Sequence, residues 1–236
     1  MSGHSKWSTI KRQKEINDKA KGQLFSRLSK IISVAVKSGG GPSPDSNHKL
    51  RVAIDQARAA DMPKENIERV IARASEEKDL EEITYEGFAP GGIAVMVEAA
   101  TDNKNRTAQE IKSIFERAGG SLGGPGSVAF NFEPRGMVIL KKEKDLDSQM
   151  LKLIDLGARD ILETDGELEA YVNPGDLFKF KNDLEKAEIG VQSIELVQKP
   201  KNTQPAASED EEKRVLKLLE TLNEQDDVQN VFVNLA

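Results

Sequence analysis

Apolar residues in the first third of the chain recur at helical spacing. One stripe ends at the Gly39-Gly40-Gly41-Pro42 segment, a second follows Asp45 and Ser46, and a third follows Pro63. Asp45 or Ser46 is suited to cap the second helix, and Pro63 suits the first turn of the third. These patterns predict a small helical domain over roughly residues 23–76. The stripes comprise Leu24, Phe25, Leu28, Ile31, Ile32, Ala35 and Val36, then Leu50, Ala53, Ile54 and Ala57, then Ile67, Val70, Ile71 and Ala74.

The spacing changes after the acidic run from Glu76 to Glu82, which we interpret as a linker. The run from Ile93 to Ala100 is almost continuously apolar, as is typical of a strand buried on both faces. Asn103 is suited to cap a following helix, and Gly119 to close it. Alternation across residues 128–133 then predicts a strand with one buried face.

Residues 136–198 show the order β-α-β-β-α-β. This order predicts a ferredoxin-like domain, in which two helices cover one antiparallel sheet. Asp165-Gly166 is the expected turn between the two central strands. The predicted apolar helix positions are Leu151, Ile154 and Ala158, then Leu177, Phe180, Leu184 and Ala187.

The C-terminal segment predicts one helix and one strand after a linker at residues 199–207. Ser208 and Glu211 have capping-box spacing, and the strand covers Val231 to Leu235. A lone helix and strand bury too little apolar surface, so we expect them to complete the sheet begun near residue 83. The predicted fold is α+β with three domains: a helical domain at 1–78, a discontinuous α/β domain at 79–135 plus 199–236, and an inserted ferredoxin-like domain at 136–198.

Charge divides the chain more sharply than hydropathy does. Residues 1–37 contain nine Lys or Arg and two acids, a balance of +7, whereas the whole chain carries −6 and the remainder therefore −13. A basic end on an acidic body favours contact with a polyanion, of which nucleic acid is the commonest. The alternative is a solvated helix face with no partner.

The amino-acid composition limits the kinds of reaction and metal site that the chain can support. The chain has no cysteine and only two histidines, His4 and His48, which excludes thiolate chemistry and leaves no metal-ligand spacing. No apolar run approaches the length of a membrane span, and the N-terminus lacks a signal-peptide core. We therefore expect a cytoplasmic protein that is not an enzyme, with no cofactor, metal, membrane partner or small-molecule substrate. A monomer is favoured.

The candidate nucleic-acid contacts lie in the basic arm, residues 1–22, and the first helix. Trp7 stands among the cations, where it would either stack on a base or fasten the arm to the helical domain. The candidate residues are His4, Lys6, Trp7, Lys11, Arg12, Lys14, Lys19, Lys21 and Lys30.

The Gly-rich segment, residues 119–126, is the second candidate. It lacks the lysine of a phosphate-binding loop and runs from helix to strand, the opposite polarity. It is either a mobile surface loop or a loop that reaches into a partner. The candidate partner contacts are Gly119, Gly120, Ser121, Leu122, Gly123 and Gly124.

Several runs resemble the YebC/PmpR family. They are Gly3-His4-Ser5-Lys6-Trp7 with Ile10-Lys11, residues 62–69, 85–92 and 101–107, and the Gly-rich segment with Ser127 and Val128. The resemblance covers the whole chain in order. It implies a helical domain followed by two α/β domains, and a non-enzymatic regulator of gene expression. Members have been described as DNA-binding transcriptional regulators, and also as ribosome-associated translation factors that relieve stalling.

The residues themselves favour ribosomal RNA or the ribosome over DNA. No predicted helix presents the Arg, Asn and Gln set that reads base edges, and lysine suits phosphate contact. Transcriptional control stays open because of the family description. A protein-binding scaffold without nucleic-acid contact, and an enzyme, are the alternatives from other classes.

Overall fold

The structure, a computed structural model, describes Trp7 and residues 21–74, 80–164 and 166–236. Over these residues it is an α+β fold with two antiparallel four-stranded sheets. The helices are α1 Lys21–Ser38, α2 His48–Ala59, α3 Lys64–Ala74, α4 Lys104–Arg117, α5 Leu146–Asp155, α6 Leu177–Lys186 and α7 Glu209–Glu224. The strands are β1 Glu81–Phe88, β2 Ala94–Thr101, β3 Ser121–Leu122, β4 Phe132–Lys141, β5 Asp160–Glu163, β6 Glu167–Val172, β7 Val191–Pro200 and β8 Val228–Val233.

Helices α1, α2 and α3 form a bundle around the predicted apolar stripes. Leu28, Ile32, Leu50 and Ile67 are all buried in its core. The predicted cap of α2 is wrong by one or two residues. Asn47 rather than Asp45 or Ser46 takes this role, because its buried side chain accepts from Leu50 N–H and also donates to the carbonyl of Ala35 in α1, at 2.7 Å.

The first sheet has the strand order β3-β1-β2-β8. The predicted pairing of the C-terminal strand is confirmed, since β8 runs antiparallel to β2 with Val97 opposite Val231. Helices α4 and α7 cover one face of this sheet through side chains that include Phe115 and Leu218. The Asn103 cap is also confirmed, because its side chain accepts from Arg106 N–H.

The second sheet has the order β5-β6-β4-β7, joined by the predicted β-α-β-β-α-β succession. Its boundaries are wider than the sequence predicts: β4 begins at Phe132 and β7 ends at Pro200, so the predicted boundaries fall inside these strands. Glu81 and Glu82 likewise belong to β1 instead of a linker. Asp165 of the predicted turn lies outside the described residues, and Gly166 beside it has a positive φ of 88°.

Two predictions about apolar positions are wrong. Helix α5 buries Leu153, whereas Leu151 and Ile154 are exposed by 64% and 55%. Residues 129–131 form a 3₁₀ turn instead of a strand, and Phe130 is 66% exposed.

The two sheets share a further apolar core between their inner faces. Met96 and Phe232 of the first sheet join Met137, Ile139 and Tyr171 of the second in one buried cluster. The outer face of the second sheet carries α5 and α6. The helical bundle packs against both sheets, with α2 on β7 and α1 on β8. This arrangement places the N-terminal bundle directly beside the C-terminal strand.

Candidate nucleic-acid interface

Trp7 lies in the core of the first sheet and its helices. Its side chain is only 2% exposed, and its indole N–H donates to the carbonyl of Val231 in β8 at 3.2 Å. Neither face of the ring is open to a nucleobase in this position. Of the two sequence interpretations the structure favours the anchor, with one change: Trp7 fastens to the first sheet and not to the helical domain.

Two cations of α1 are engaged within the protein. The ammonium of Lys30 lies 2.9 Å from a carboxylate oxygen of Asp227 and 2.8 Å from the carbonyl of Asp226. Arg27 donates to both the side chain and the carbonyl of Asn223 near the end of α7. Lys30 was a candidate phosphate contact, but its charge here is matched by an acid of the same chain.

Asp227 is the centre of this attachment. Besides Lys30 it accepts from the Arg106 guanidinium at 3.0 Å and from the Thr107 hydroxyl at 2.7 Å. Burial opposes ionisation of Asp227, but the hydrogen bonds from Lys30, Thr107 and Arg106 outweigh it and lower its pKa to about 2. The carboxylate therefore links α1, α4 and the segment before β8 as a charged group at neutral pH.

The remaining candidate contacts fall mainly in the basic arm. Lys21 is the first residue of α1. His4, Lys6, Lys11, Arg12, Lys14 and Lys19 lie outside the described residues. Their proposed contact with nucleic acid therefore rests on their charge and sequence positions.

The Gly-rich segment begins as part of the first sheet. Ser121 and Leu122 form β3, which pairs with Gly87 and Phe88 of β1. The interpretation as a mobile surface loop is therefore wrong for its first half. Gly120 packs so closely on the carbonyl of Phe88 that a Cβ at this position would overlap it.

Glu86 fastens the second half. Its buried carboxylate accepts from Gly126 N–H at 2.7 Å through one oxygen, and from Val128 N–H at 2.7 Å and Ala129 N–H at 2.8 Å through the other. Burial favours the neutral acid, but these three donors together prevail and lower the pKa of Glu86. Sequence reasoning missed this role, although Glu86 stands inside one of the runs that carry the family resemblance.

The segment that Glu86 holds presents Phe130 to solvent. The Phe130 carbonyl accepts from the ammonium of Lys201 at 2.9 Å, while its ring is exposed. The sequence pattern did not predict the exposure of Phe130, because Val128 and Phe132, two residues away on either side, are both buried.

The described residues contain no group of three or more His, Asp or Glu side chains placed to hold a metal ion. None of the helices in the described ranges is long and apolar enough to cross a membrane. The geometry thus defines an α+β protein whose charged N-terminal region is fastened to its C-terminal strand.

Comparison with known proteins gives the family. Residues 5–77 match the TACO1/YebC protein N-terminal domain, and residues 80–235 match the TACO1/YebC second and third domain. The chain belongs to this family, and the resemblance inferred from the sequence runs is confirmed.

Curated relatives extend along the whole chain. A protein of Syntrophomonas wolfei is 42% identical over 242 residues, covering 100% of this chain and 96% of the relative. One of Dictyoglomus turgidum is 46% identical over 239 residues, covering 99% and 95%. Both bear the name probable transcriptional regulatory protein.

A solved structure has the same fold. The crystal structure of a conserved hypothetical protein from Aquifex aeolicus is similar with a TM-score of 0.85 at 41% identity. The match covers 92% of this chain and 90% of that one.

Proposed function

We propose that this protein is a non-enzymatic regulator of gene expression that binds nucleic acid through its basic arm. The observation that carries the proposal is the charge division, +7 over residues 1–37 against −13 over the remainder. Cations concentrated at one end gain affinity by releasing counterions from phosphates, while the acidic body is repelled by the same polymer. The names of the curated relatives support a regulatory role.

The contacts of α1 reduce the number of residues that we propose to bind nucleic acid. Because Lys30 and Arg27 are matched inside the protein, we assign phosphate contact to the arm cations alone. Trp7 is left out of the set because its ring is buried. Its hydrogen bond to Val231 instead ties this point of the arm to the first sheet, so that the neighbouring cations start from a fixed place on the body. The proposed phosphate contacts are Lys6, Lys11, Arg12, Lys14, Lys19 and Lys21.

We propose RNA, in the setting of the ribosome, as the target in preference to DNA. Five of the six assigned cations are lysines, which bind phosphate as point charges without reading bases. Sequence-selective control of transcription would need side chains that read base edges. DNA binding, as the relatives' names suggest, is the other outcome of the experiment below.

We further propose that the molecule works as three domains, with the helical bundle, the first sheet and the second sheet as their centres. In this proposal the second sheet is inserted into the domain of the first, because β8 returns to pair with β2. The protein is proposed to act in the cytoplasm.

A protein-binding scaffold is the second candidate, and one observation favours it. Helix α5 exposes Leu151 and Ile154, three residues apart and therefore side by side on the helix surface. Phe130 adds an exposed aromatic ring elsewhere. Adjacent exposed apolar side chains are a feature of protein interaction surfaces, so this function predicts binding that is independent of the arm.

The test replaces Lys11, Arg12 and Lys14 with Gln and measures affinity for one labelled RNA and one DNA duplex from low to physiological salt. If all three touch phosphate, the slope of log K against log salt should fall by about 2 units on single strands and by nearly 3 on duplex DNA. The loss should be similar for different sequences, because lysine contacts position without reading bases.

The matched control replaces three exposed cations of the body, Lys144, Lys152 and Lys213, with Gln. It changes net charge by the same amount and should leave the slope unchanged. An unaltered slope in the arm variant, or an equal fall in both variants, would show that the arm is only a solvated basic segment. Tighter binding of the duplex than of RNA by the parent would assign the protein to DNA.

A further inference from the structure

A cavity of about 270 Å³ lies where the helical bundle meets the inner faces of the two sheets. Its walls come from α1 and α2 of the bundle, from β1, β2 and β8 of the first sheet, and from β4 and β7 of the second. Much of the lining is aliphatic and includes Ile31, Val34, Val52 and Leu196. The cavity is therefore bounded by all three parts of the molecule and is apolar on the side of the bundle.

One wall of this cavity is polar because of an irregularity in β8. Glu98 of β2 pairs with Asn230, but Ala99 pairs with Val228, so Gln229 is an extra residue in β8. Such a bulge re-aims side chains. Val228 and Val231 point to the core under α4 and α7, whereas Gln229 and Asn230 both line the cavity.

The polar wall offers hydrogen-bond acceptors. Glu98 accepts from the Asn230 amide at 3.0 Å and also from the Gln198 side chain, which still leaves lone pairs on its carboxylate. Gln229 is only 6% exposed, and its Nε2 donates to the carbonyl of Asp227 at 3.3 Å, which directs Oε1 away from that carbonyl. Oε1 is buried and has no hydrogen-bond partner among the described residues. A buried acceptor without a donor costs free energy, and a ligand that donates would recover it.

We infer that this cavity is a binding site for a small organic ammonium ion, with its charged head between Glu98 and Gln229 and its apolar stem against the bundle. A primary ammonium group has three donors and no acceptor, which matches a wall of carboxylate and amide oxygens. The alkyl part replaces water against Ile31, Val34 and Val52. This inference does not rest on the proposed nucleic-acid binding.

The charged neighbours of Glu98 permit a cationic ligand. Glu82 of β1 and Lys49 of α2 form an ion pair at 3.3 Å in the cavity lining, and Arg135 of β4 is paired with Glu133 at 2.7 Å. Each of the two lining cations is thus paired with an acid other than Glu98, although Lys49 also attracts the Glu98 carboxylate. Burial raises the pKa of Glu98 and Glu82 adds to the effect, against the hydrogen bonds from Asn230 and Gln198 and the attraction of Lys49. A bound cation would therefore further favour the ionised carboxylate.

A ligand here would also act on the shape of the protein. Because the walls belong to the bundle and to both sheets, occupation favours the packed arrangement of the three parts over a separated one. The ligand should therefore raise the thermal transition temperature by linkage.

The experiment is calorimetric titration of the full chain with n-butylammonium, compared with the neutral probe butan-1-ol, together with thermal denaturation. We expect the parent to bind the ammonium ion at least tenfold more tightly than the alcohol and to melt at a higher temperature in its presence. Affinity should rise with pH until Glu98 is ionised.

Three variants test whether the ammonium ion binds in this cavity. Glu98→Gln retains an acceptor for Asn230 but loses the charge, and should weaken ammonium binding at least tenfold. Gln229→Met keeps the volume, removes the acceptor and should weaken it several-fold. Asp155→Asn removes an exposed acid at the end of α5 and should change nothing.

Folding of each variant is verified by its melting transition before titration. Absence of ammonium binding in the parent would overturn the inference. So would equal binding by the parent and the folded Glu98→Gln variant, which would indicate general attraction to an acidic surface.

Discussion

Glu86 and Asp227 are two buried carboxylates in or beside the first sheet. They differ in the hydrogen-bond donors that they accept from and in the segments that they fix. Glu86, in β1, accepts from three backbone N–H groups and fixes residues 126–129. Asp227, just before β8, accepts from two cationic side chains and a hydroxyl, and connects α1 and α4. The donors to Glu86 are neutral backbone groups, whereas two of the three donors to Asp227 are positively charged side chains.

This difference decides how each attachment responds to conditions. Backbone donors cannot lose their protons or be screened, so the bonds of Glu86 weaken only when the carboxylate itself is protonated. The network of Asp227 depends in addition on Lys30 and Arg106, whose charges are partly exposed and are screened by salt. The Gly-rich segment should therefore stay fixed where the helical bundle loosens.

The largest effect is expected from Glu86→Gln. The amide carbonyl still accepts from Val128 and Ala129 N–H, but its NH₂ then faces Gly126 N–H and leaves that part-buried donor unpaired. We expect unfolding free energy to fall by about 3 kcal/mol, measured by urea denaturation. Amide hydrogen exchange should accelerate at Gly126, Val128 and Ala129.

Glu116→Gln serves as the control for that experiment. Glu116 is exposed on α4 and its contact with Lys112 is a surface pair at 3.7 Å, so its loss should have no measurable effect. If both variants behave alike, or if the exchange rates of the three amides do not change, Glu86 is not the group that fixes this segment.

An intermediate effect is expected from acid. The pKa of Asp227 is lowered from 3.8 to about 2 in the folded protein, so the unfolded chain binds its proton first as pH falls. The contribution is complete above pH ~4, amounts to about 2 kcal/mol, and is lost as pH falls through about 2.

Asp227→Asn isolates this contribution. The difference in stability between parent and variant should be constant near neutral pH and shrink as pH approaches 3, in urea melts recorded over that range. A difference that stays constant throughout would mean that Asp227 is not held ionised by its partners.

The sequence was sufficient where a local pattern determines the structure. The stripes that include Ile32, Leu50 and Ile67 identified the bundle, and Asn103 identified the start of α4. The pairing of β8 with β2 was predictable for a different reason: an isolated helix and strand cannot bury their apolar faces, so they must complete an existing sheet.

The sequence was insufficient where two faces of one element are similarly apolar. In α5, Leu151 and Ile154 have helical spacing, but so do Leu146, Met150 and Leu153, which contact the core. Periodicity gives the helix and does not choose between these faces, because the choice depends on the sheet that α5 packs against.

It was also insufficient where a distant residue determines local structure. The alternation of residues 128–133 suggested a strand, but Glu86 takes the N–H groups of Val128 and Ala129, which a strand would need for its ladder. The same carboxylate converts a glycine-rich stretch into a fixed one. Forty residues separate Glu86 from Gly126, and no local pattern connects them.

Trp7 and Lys30 show why the candidate nucleic-acid contacts could not all be predicted from the sequence. A tryptophan and a lysine in a basic run suggest contact with nucleic acid, yet the partners found here, Val231 and Asp227, lie near the opposite end of the chain. Charge counting gives the overall division correctly but cannot tell which cations are matched internally.

The smallest effect, and the one that separates these roles, is expected from Lys30→Gln. The Lys30 side chain is 26% exposed, and its ammonium pairs with a carboxylate that keeps Arg106 and Thr107, so unfolding free energy should fall by about 1 kcal/mol. The loss should be smaller in high salt, where the parent's pair is already screened. Lys112→Gln, with the same change in charge at an exposed pair, should leave stability unchanged. Because Lys30 is paired with Asp227, its replacement should also leave unaltered the slope of log K against log salt for nucleic-acid binding. A slope lower by about 0.7 on RNA would show instead that Lys30 contacts phosphate.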